Sequence, residues 1–188
     1  MKIILGSKSA GRRAVLDKIG WTYEARSADI DEKAIRCDDP DRLVITLAHA
    51  KADALLEEIH EPALLITADQ VVVQNEVILE KPESEQEARA FLRGYRTHPM
   101  ETHSAVVVTN TQTGERAEGV DIARVFFGAI TDEAIEEAIV DGRCLHCAGA
   151  MRCEEPPMKQ FVETFEGTED STSGLPLALL EKLIHKVS

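Results

Sequence analysis

The chain has 188 residues, of which 44% are hydrophobic, and this combination excludes an intrinsically disordered protein. Its 21 basic and 34 acidic residues give a net charge of −13, which argues against a protein that coats nucleic acid, because such binding depends on lysine and arginine. No apolar run approaches the ~18 residues of a membrane span, and the apolar stretch at residues 3–5 is too short for a signal peptide. We therefore expect a soluble cytoplasmic protein without membrane association, organised as one domain over residues 1–188.

The N-terminal segment predicts a strand, a loop and a helix. Lys2–Leu5 is a short apolar run that ends at Gly6, and Arg12–Ile19 has helical spacing of its apolar residues and ends at Gly20. Residues 1–20 carry a net charge of +4, which leaves −17 for the rest of the chain. A local positive charge in an acidic protein suits a small polyanion better than a polymer.

The loop itself, in the stretch LGSKSAGRR, is suited to phosphate. Backbone N–H groups at the start of a helix favour an anion, hydroxyl groups of Ser7 and Ser9 can donate to it, and the guanidinium groups of Arg12 and Arg13 match phosphate oxygens. The glycines have the spacing of a phosphate-binding P-loop, but an arginine pair replaces the Lys-Ser/Thr pair that this motif needs. A P-loop phosphotransferase is therefore the weaker alternative, and it would release or transfer the γ-phosphate.

The rest of the chain alternates helical and strand patterns. An apolar, β-rich run begins at Ala63, extends to Val73 and contains an interruption at Thr67–Gln70, and Glu154–Ser173 is predicted to be irregular. No repeat or long linker divides the chain. The remaining predicted elements are helices over Pro40–Ile59, Ser84–Arg93, Thr131–Val140 and after Pro176, and a strand pair over Thr102–Asn110 and Arg116–Phe127.

An acidic residue inside the apolar run marks a second candidate cluster. Asp69, in the stretch ITADQVV, is a candidate metal ligand or general base, since an acid in such a run is costly without a role. Lys51 and Lys81 could balance phosphate charge. Mg²⁺ prefers oxygen ligands and shares them with substrate phosphates. Further carboxylates for it are Asp31, Glu32 and Glu80.

The cysteines offer one motif, a C-x-x-C formed by Cys144 and Cys147. A structural zinc site usually needs a second ligand pair, and none follows. A redox pair normally opens a helix after a strand, whereas this motif follows a helical pattern. We therefore expect reduced, mostly buried thiols.

In combination, these signals resemble the Maf family of nucleoside triphosphate pyrophosphatases, also described as septum-formation-inhibitor-like. The DQVV and SADIDEK variants look most like its eukaryotic, plant-type branch. The resemblance covers nearly the whole chain. The motifs that carry it are LGSKSAGRR from Leu5, SADIDEK from Ser27, LAHAKADAL from Leu47, ITADQVV from Ile66, LEKP from Leu79, CAGAM from Cys147 and SGLP from Ser173.

The resemblance implies an elongated α/β fold of the Maf/ITPase type, with a central mixed twisted sheet flanked by helices and two lobes around a deep cleft. It implies hydrolysis of a nucleoside triphosphate, canonical or modified, to the monophosphate and pyrophosphate with Mg²⁺ or Mn²⁺, and it suggests a homodimer. The resemblance implies triphosphate binding by Ser7, Ser9, Arg12 and Arg13, and phosphate contacts by Lys51 and Lys81. It implies metal binding and water activation by Glu32 and Asp69. Lys81 is grouped with Glu32 and Asp69 as a catalytic residue as well.

The sequence departs from the family pattern in three places. The segment Arg96–Ser104 is longer than the usual glycine-rich turn, and Gly11 stands where the family usually has proline. In the third place, Cys147 stands where the family has lysine and Glu154 where it has glutamine. These last two exchanges remove a positive charge and an amide. They motivate a second hypothesis, a nucleotide-binding or regulatory protein that retains the fold and has impaired catalysis.

Overall fold

The computed structural model describes every residue from Met1 to Ser188. It contains six helices and seven strands, with four short 3-10 turns at Glu32–Ala34, Arg143–His146, Ala148–Ala150 and Met158–Phe161. The helices are α1 (Ala10–Lys18), α2 (Pro40–Leu56), α3 (Glu85–Gly94), α4 (Asp132–Asp141), α5 (Glu169–Thr172) and α6 (Leu177–Val187). The strands are β1 (Lys2–Gly6), β2 (Glu24–Arg26), β3 (Ala63–Gln74), β4 (Val77–Leu79), β5 (Met100–Asn110), β6 (Arg116–Phe127) and β7 (Val162–Glu166).

The strands form one mixed sheet in the order β2-β1-β3-β5-β6-β7, with β4 paired to β3 outside this path. Strand β1 is parallel to β2 and β3, whereas β4 is antiparallel to β3 and β7 is antiparallel to β6. The predicted α/β class with a central mixed sheet and flanking helices is confirmed.

The chain forms two compact units. The first unit comprises Met1–Gln70, His103–Ile122 and Thr168–Ser188, and the second comprises Val71–Thr102 and Ala123–Gly167. The chain passes from one unit to the other within strands β3, β5 and β6 and in the segment between β7 and α5.

The core of the first unit is built from three neighbouring strands and the helices that carry apolar stripes. Residues of β1, β3 and β5 pack with α1 and α6, and burial of these side chains removes apolar area from water. Helix α6 contributes Leu180, Leu183 and Val187, which agrees with the predicted stripe at the C-terminus. Gly6 allows β1 to lie close to α2, because a Cβ at this position would be 2.7 Å from Leu55 Cδ1.

The core of the second unit lies between its strand segments and helices α3 and α4. Tyr95 is fully buried there, its ring centroid 5.6 Å from that of Phe127, and its hydroxyl donates to the Gly149 carbonyl over 2.9 Å. Helix α3 begins after Ser84, whose Oγ accepts from Glu87 N over 3.1 Å, as the capping pattern predicts. Helix α4 begins in the same way after Thr131.

The sequence-based prediction was wrong in two places. The interruption expected at Thr67–Gln70 does not exist, because β3 is continuous and the polar side chains in it find partners of their own. Strands β2 and β7 were not predicted: both are short edge strands with little buried surface, and β7 lies in the segment expected to be irregular.

Candidate active site

The loop between β1 and α1 has only three residues, and its serines organise it. Ser9 caps α1, its Oγ accepting from Arg12 N over 3.4 Å, and Ser7 Oγ accepts from Ser9 N over 3.1 Å. Ser7 Oγ also accepts from Arg12 Nη1. Since the oxygen of Ser7 is the acceptor in both contacts, its hydroxyl hydrogen can donate to a ligand oxygen. Gly11 lies inside α1, so the long loop that a P-loop requires is missing and that alternative is contradicted.

The two adjacent arginines have different environments. Arg12 is buried: its Nε donates to the Gly174 carbonyl over 3.0 Å, and its Nη1 donates to the Ala68 carbonyl over 2.9 Å and to Ser7 Oγ over 3.3 Å. These contacts leave the Nη2 edge without a protein partner. Burial lowers the pKa of Arg12, an effect that the negative charges of Asp69 and Glu32 oppose. Arg13 is exposed, and its side chain makes no hydrogen bond.

Asp69 lies in β3, beyond the end of the neighbouring strand β1. The last registered pair of these strands is Leu5 with Ile66, and β1 then ends at Gly6 and turns into the serine loop. Ala68 and Asp69 thus extend past their parallel neighbour, next to the loop and the Arg12 side chain. Strand β3 continues past the end of β1. This difference in length places the Asp69 carboxylate beside the N-terminus of α1.

Lys51 joins two of the predicted carboxylates. Its ammonium group contacts Asp69 and lies 2.9 Å from Glu32 Oε1. The side chains of Lys51 and Asp69 are each 11% exposed, whereas Glu32 is 57% exposed. Burial raises the pKa of Asp69 above its ordinary value, although Lys51 and Arg12 act in the opposite direction. Glu32 therefore sits at the solvent-accessible side of this cluster.

A hydrogen bond between helix α2 and strand β3 lies next to the contact of Lys51 with Asp69. Thr67 Oγ1 donates to the Ala48 carbonyl over 2.8 Å. Thr67 and Asp69 share one face of β3, because side chains alternate along a strand, and Ala48 and Lys51 are three residues apart on one face of the helix. The hydrogen bond thus fixes the helix at the level where Lys51 meets Asp69.

The carboxylates fit a hard divalent cation that is shared with a substrate. No group of three or more His, Cys, Asp and Glu side chains is arranged as a complete metal cage. Mg²⁺ needs only one or two protein carboxylates when phosphate and water supply its other ligands. Asp69 and Glu32, brought to the same ammonium group, provide this number of donors.

The remaining predicted residues are distributed as follows. Ser7, Ser9, Arg12, Arg13, Glu32, Lys51 and Asp69 all belong to the first unit, whereas Lys81 belongs to the second unit and is exposed between β4 and α3. In the second unit, Cys147 is half-buried and accepts from Arg152 Nη1 over 3.6 Å. Cys144 and Cys153 are buried, which agrees in part with the expectation of mostly buried thiols.

Sequence reasoning missed two residues around Arg12. Gly174 accepts from the guanidinium through its carbonyl and has a φ of +84°, and Gln70 contacts the segment that precedes Gly174. The glycine in SGLP and the glutamine in ITADQVV were visible as parts of motifs, but nothing in their spacing connects them to an arginine more than 50 residues away.

A family model described as Maf-like protein matches residues 2–187, almost the entire chain. The chain belongs to this Maf-like family. The resemblance predicted from the sequence motifs is confirmed.

Several relatives of this Maf-like chain align with it along nearly their full length. A 7-methyl-GTP pyrophosphatase of Dictyostelium discoideum is 43% identical, over 99% of this chain and 97% of that protein. A nucleoside triphosphate pyrophosphatase of Synechococcus sp. (strain JA-2-3B'a(2-13)) is 32% identical, over 98% and 93%. A dTTP/UTP pyrophosphatase of Alkaliphilus metalliredigens is also 32% identical, over 98% and 95%.

Proposed function

We propose that this Maf-like protein is a divalent-metal-dependent nucleoside triphosphate pyrophosphatase, with the full chain acting as one catalytic domain. The observation that carries the proposal is the contact of Lys51 with both Asp69 and Glu32, beside the serine loop and the buried Arg12. Each relative described above is named as a pyrophosphatase of nucleoside triphosphates. The products are a nucleoside monophosphate and pyrophosphate.

The reaction is attack of water on the α-phosphorus. A new bond forms between the water oxygen and phosphorus, the bond to the oxygen that bridges the α- and β-phosphates breaks, and pyrophosphate leaves with the electron pair. Asp69 takes the proton from the attacking water, since its buried carboxylate is shielded from bulk solvent. The ammonium group of Lys51 holds Asp69 in place and neutralises negative charge.

The positive and hydroxyl groups bind the triphosphate. Ser7 donates its free hydroxyl hydrogen, Ser9 shapes the loop at the helix N-terminus, Arg13 provides an exposed guanidinium, and Arg12 offers its unpaired Nη2 edge. The family resemblance also implies a phosphate contact by Lys81, and this role stays a prediction. As negative charge develops on the leaving pyrophosphate, fixed positive groups stabilise the transition state more than the ground state.

Asp69 and Glu32 would hold Mg²⁺ or Mn²⁺, which supplies Lewis-acid stabilisation of phosphate charge when bound. A substrate with a modified base is favoured, and 7-methyl-GTP is the first candidate. The support is the 43% identity with a 7-methyl-GTP pyrophosphatase, compared with 32% for the dTTP/UTP relative.

Product analysis by chromatography tests the activity. The protein is incubated with Mg²⁺ or Mn²⁺ and with 7-methyl-GTP, GTP, dTTP, UTP and ATP, and Asp69→Asn serves as the control. Monophosphate and pyrophosphate, formed by the wild type and lost in the variant, would support the proposal, with the highest kcat/KM for 7-methyl-GTP. Release of inorganic phosphate would contradict the reaction, and a preference for dTTP or UTP would contradict the substrate.

The second candidate function, a nucleotide-binding protein with impaired catalysis, rests on the segment around Cys147. A half-buried thiol occupies the position where the family has lysine, and Glu154 stands in place of glutamine. Nucleotide binding by calorimetry without turnover of any substrate would favour it.

Cellular location and assembly complete the proposal. No helix combines the length and apolar character needed to cross a bilayer. We propose a cytoplasmic location, as expected from the sequence, and a homodimer, as the family resemblance implies. Fractionation of its host cell and light scattering coupled to size-exclusion chromatography test these two points.

A further inference from the structure

Gln70, the residue after Asp69, has a side chain that binds the backbone of a distant segment. Its Nε2 donates to the carbonyls of Ser171 and Thr172, each over 3.1 Å, and lies 2.9 Å from Ser104 Oγ. Two of these three partners are carbonyl oxygens, which can only accept, so the amide nitrogen must face them. A single side chain thus contacts β5 and the end of α5 from β3.

The segment that Gln70 contacts is held by a buried polar network. Ser104 Oγ donates to the Ser171 carbonyl over 3.1 Å, and Ser171 Oγ donates to the carboxylate of Asp121 in β6. Ser104 and Ser171 are fully buried. Buried hydrogen bonds of this kind are strong when every member is satisfied, so the network gives the segment one defined position.

This segment ends at the residue that orients Arg12. Gly174 N donates to the Ser171 carbonyl over 3.0 Å, and the Gly174 carbonyl accepts from Arg12 Nε over 3.0 Å. Arg12 Nη1 also donates to the Ala68 carbonyl. Residues on both sides of Asp69 therefore hold the guanidinium: Ala68 does so directly, and Gln70 does so through the segment that ends at Gly174.

We propose that Gln70 is a positioning residue, which fixes residues 171–174 so that Arg12 presents its unpaired Nη2 edge to substrate phosphate. The inference rests on the proposed function in one respect, namely that the ligand of Arg12 is a phosphate group of the substrate. Because one strand carries Asp69 and sets the position of Arg12 from both sides, the carboxylate and the phosphate-binding group keep a fixed relation to each other.

The test compares two glutamines of the same strand. Gln74 also donates its Nε2 to a backbone carbonyl, that of Phe91 over 3.3 Å, but it belongs to the second unit and has no link to Arg12. Gln70→Ala and Gln74→Ala therefore remove similar side chains from β3. The measurements are KM and kcat for 7-methyl-GTP, the Kd for inorganic pyrophosphate by calorimetry with Mg²⁺, and the melting temperature.

We expect Gln70→Ala to raise KM and the Kd for pyrophosphate about tenfold, the loss expected for one charge-assisted hydrogen bond, with a smaller change in kcat. Gln70→Glu should bind pyrophosphate more weakly still, because a carboxylate would face two carbonyl oxygens. Gln74→Ala should leave both constants unchanged, whatever its effect on the melting temperature.

A double-mutant cycle separates positioning from general stability. We expect Arg12→Lys to weaken pyrophosphate binding in the wild-type background, and to cause a clearly smaller loss when Gln70 is already alanine. Additive losses, or a Gln70→Ala variant that binds pyrophosphate as Gln74→Ala does, would overturn the inference.

Failure of this inference is distinguishable from failure of the proposed function. A wild-type protein that binds pyrophosphate but hydrolyses no nucleotide would contradict the proposed activity, and the binding cycle would still decide the role of Gln70. A wild-type protein that binds no pyrophosphate would overturn the inference as well, because Arg12 would then have no phosphate to receive.

Discussion

Substitution of Gly174 by alanine would disturb Arg12 through a single methyl group. Gly174 has a φ of +84°, in the left-handed region, and a Cβ built on it would be 3.2 Å from Arg12 Nε and 3.3 Å from Gln70 Oε1. The substitution therefore combines two effects. One is backbone strain at a positive φ, and the other is displacement of the guanidinium from the Gly174 carbonyl.

The backbone effect has a known scale. A non-glycine residue in the left-handed conformation costs about 1–2 kcal/mol. For a chain of this size, 1 kcal/mol lowers the melting temperature by about 2–4 °C, so Gly174→Ala should lower it by about 2–8 °C. The displacement of Arg12 adds a loss of phosphate affinity, about tenfold in kcat/KM if one charge-assisted hydrogen bond to substrate is removed.

Gly20→Ala is the matched control. Gly20 lies in the same unit and has a φ of +74°, but no atom lies within 4 Å of its Cβ position. Differential scanning fluorimetry should show a fall in melting temperature for Gly20→Ala similar to the fall caused by the backbone strain in Gly174→Ala. Gly20→Ala should retain full activity. If Gly174→Ala retained the kcat/KM of Gly20→Ala, the argument that the Gly174 carbonyl orients Arg12 for substrate would be refuted.

Three further predictions address catalysis, burial and pH. Asp69→Asn should lower kcat at least about 100-fold while 7-methyl-GTP still binds by calorimetry, and a variant with near-normal kcat would contradict its role as base. Thr102→Val should raise stability to urea by about 1 kcal/mol, because Thr102 Oγ1 is buried without a hydrogen-bond partner, whereas Thr109→Val should lower it, since Thr109 Oγ1 accepts from Arg116 Nε over 3.2 Å. Hydrogen bonding from Lys2 lowers the pKa of Glu61 to about 2 from its usual 4.5, so the contribution of this carboxylate to stability is present above pH 4.5 and is lost as the pH falls towards 2. Glu61→Gln should therefore be less stable than the wild type to urea at pH 7. If the difference in stability between variant and wild type were the same near pH 2 as at pH 7, this explanation would be contradicted.

The sequence determined the elements that depend on local chemistry. The serine caps, the glycine at the end of β1 and the apolar stripe of α6 act within a few residues, so their spacing predicted strand, loop and helix at the N-terminus and the helix at the C-terminus. The motifs also identified Ser7, Arg12, Lys51 and Asp69 as candidates, because in combination they resemble a known family whose site residues fall at these positions.

Only the tertiary structure decided how these candidates differ from one another. Arg12 and Arg13 are adjacent in sequence, but the carbonyls of Ala68 and Gly174 bury one of them and leave the other in solvent. The motif that contains Gln70 was visible in the sequence, but the hydrogen-bond partners of its side chain were not, since they come from two other parts of the chain. Contacts between residues far apart depend on which strands are neighbours and where each strand ends, and local spacing does not contain that information.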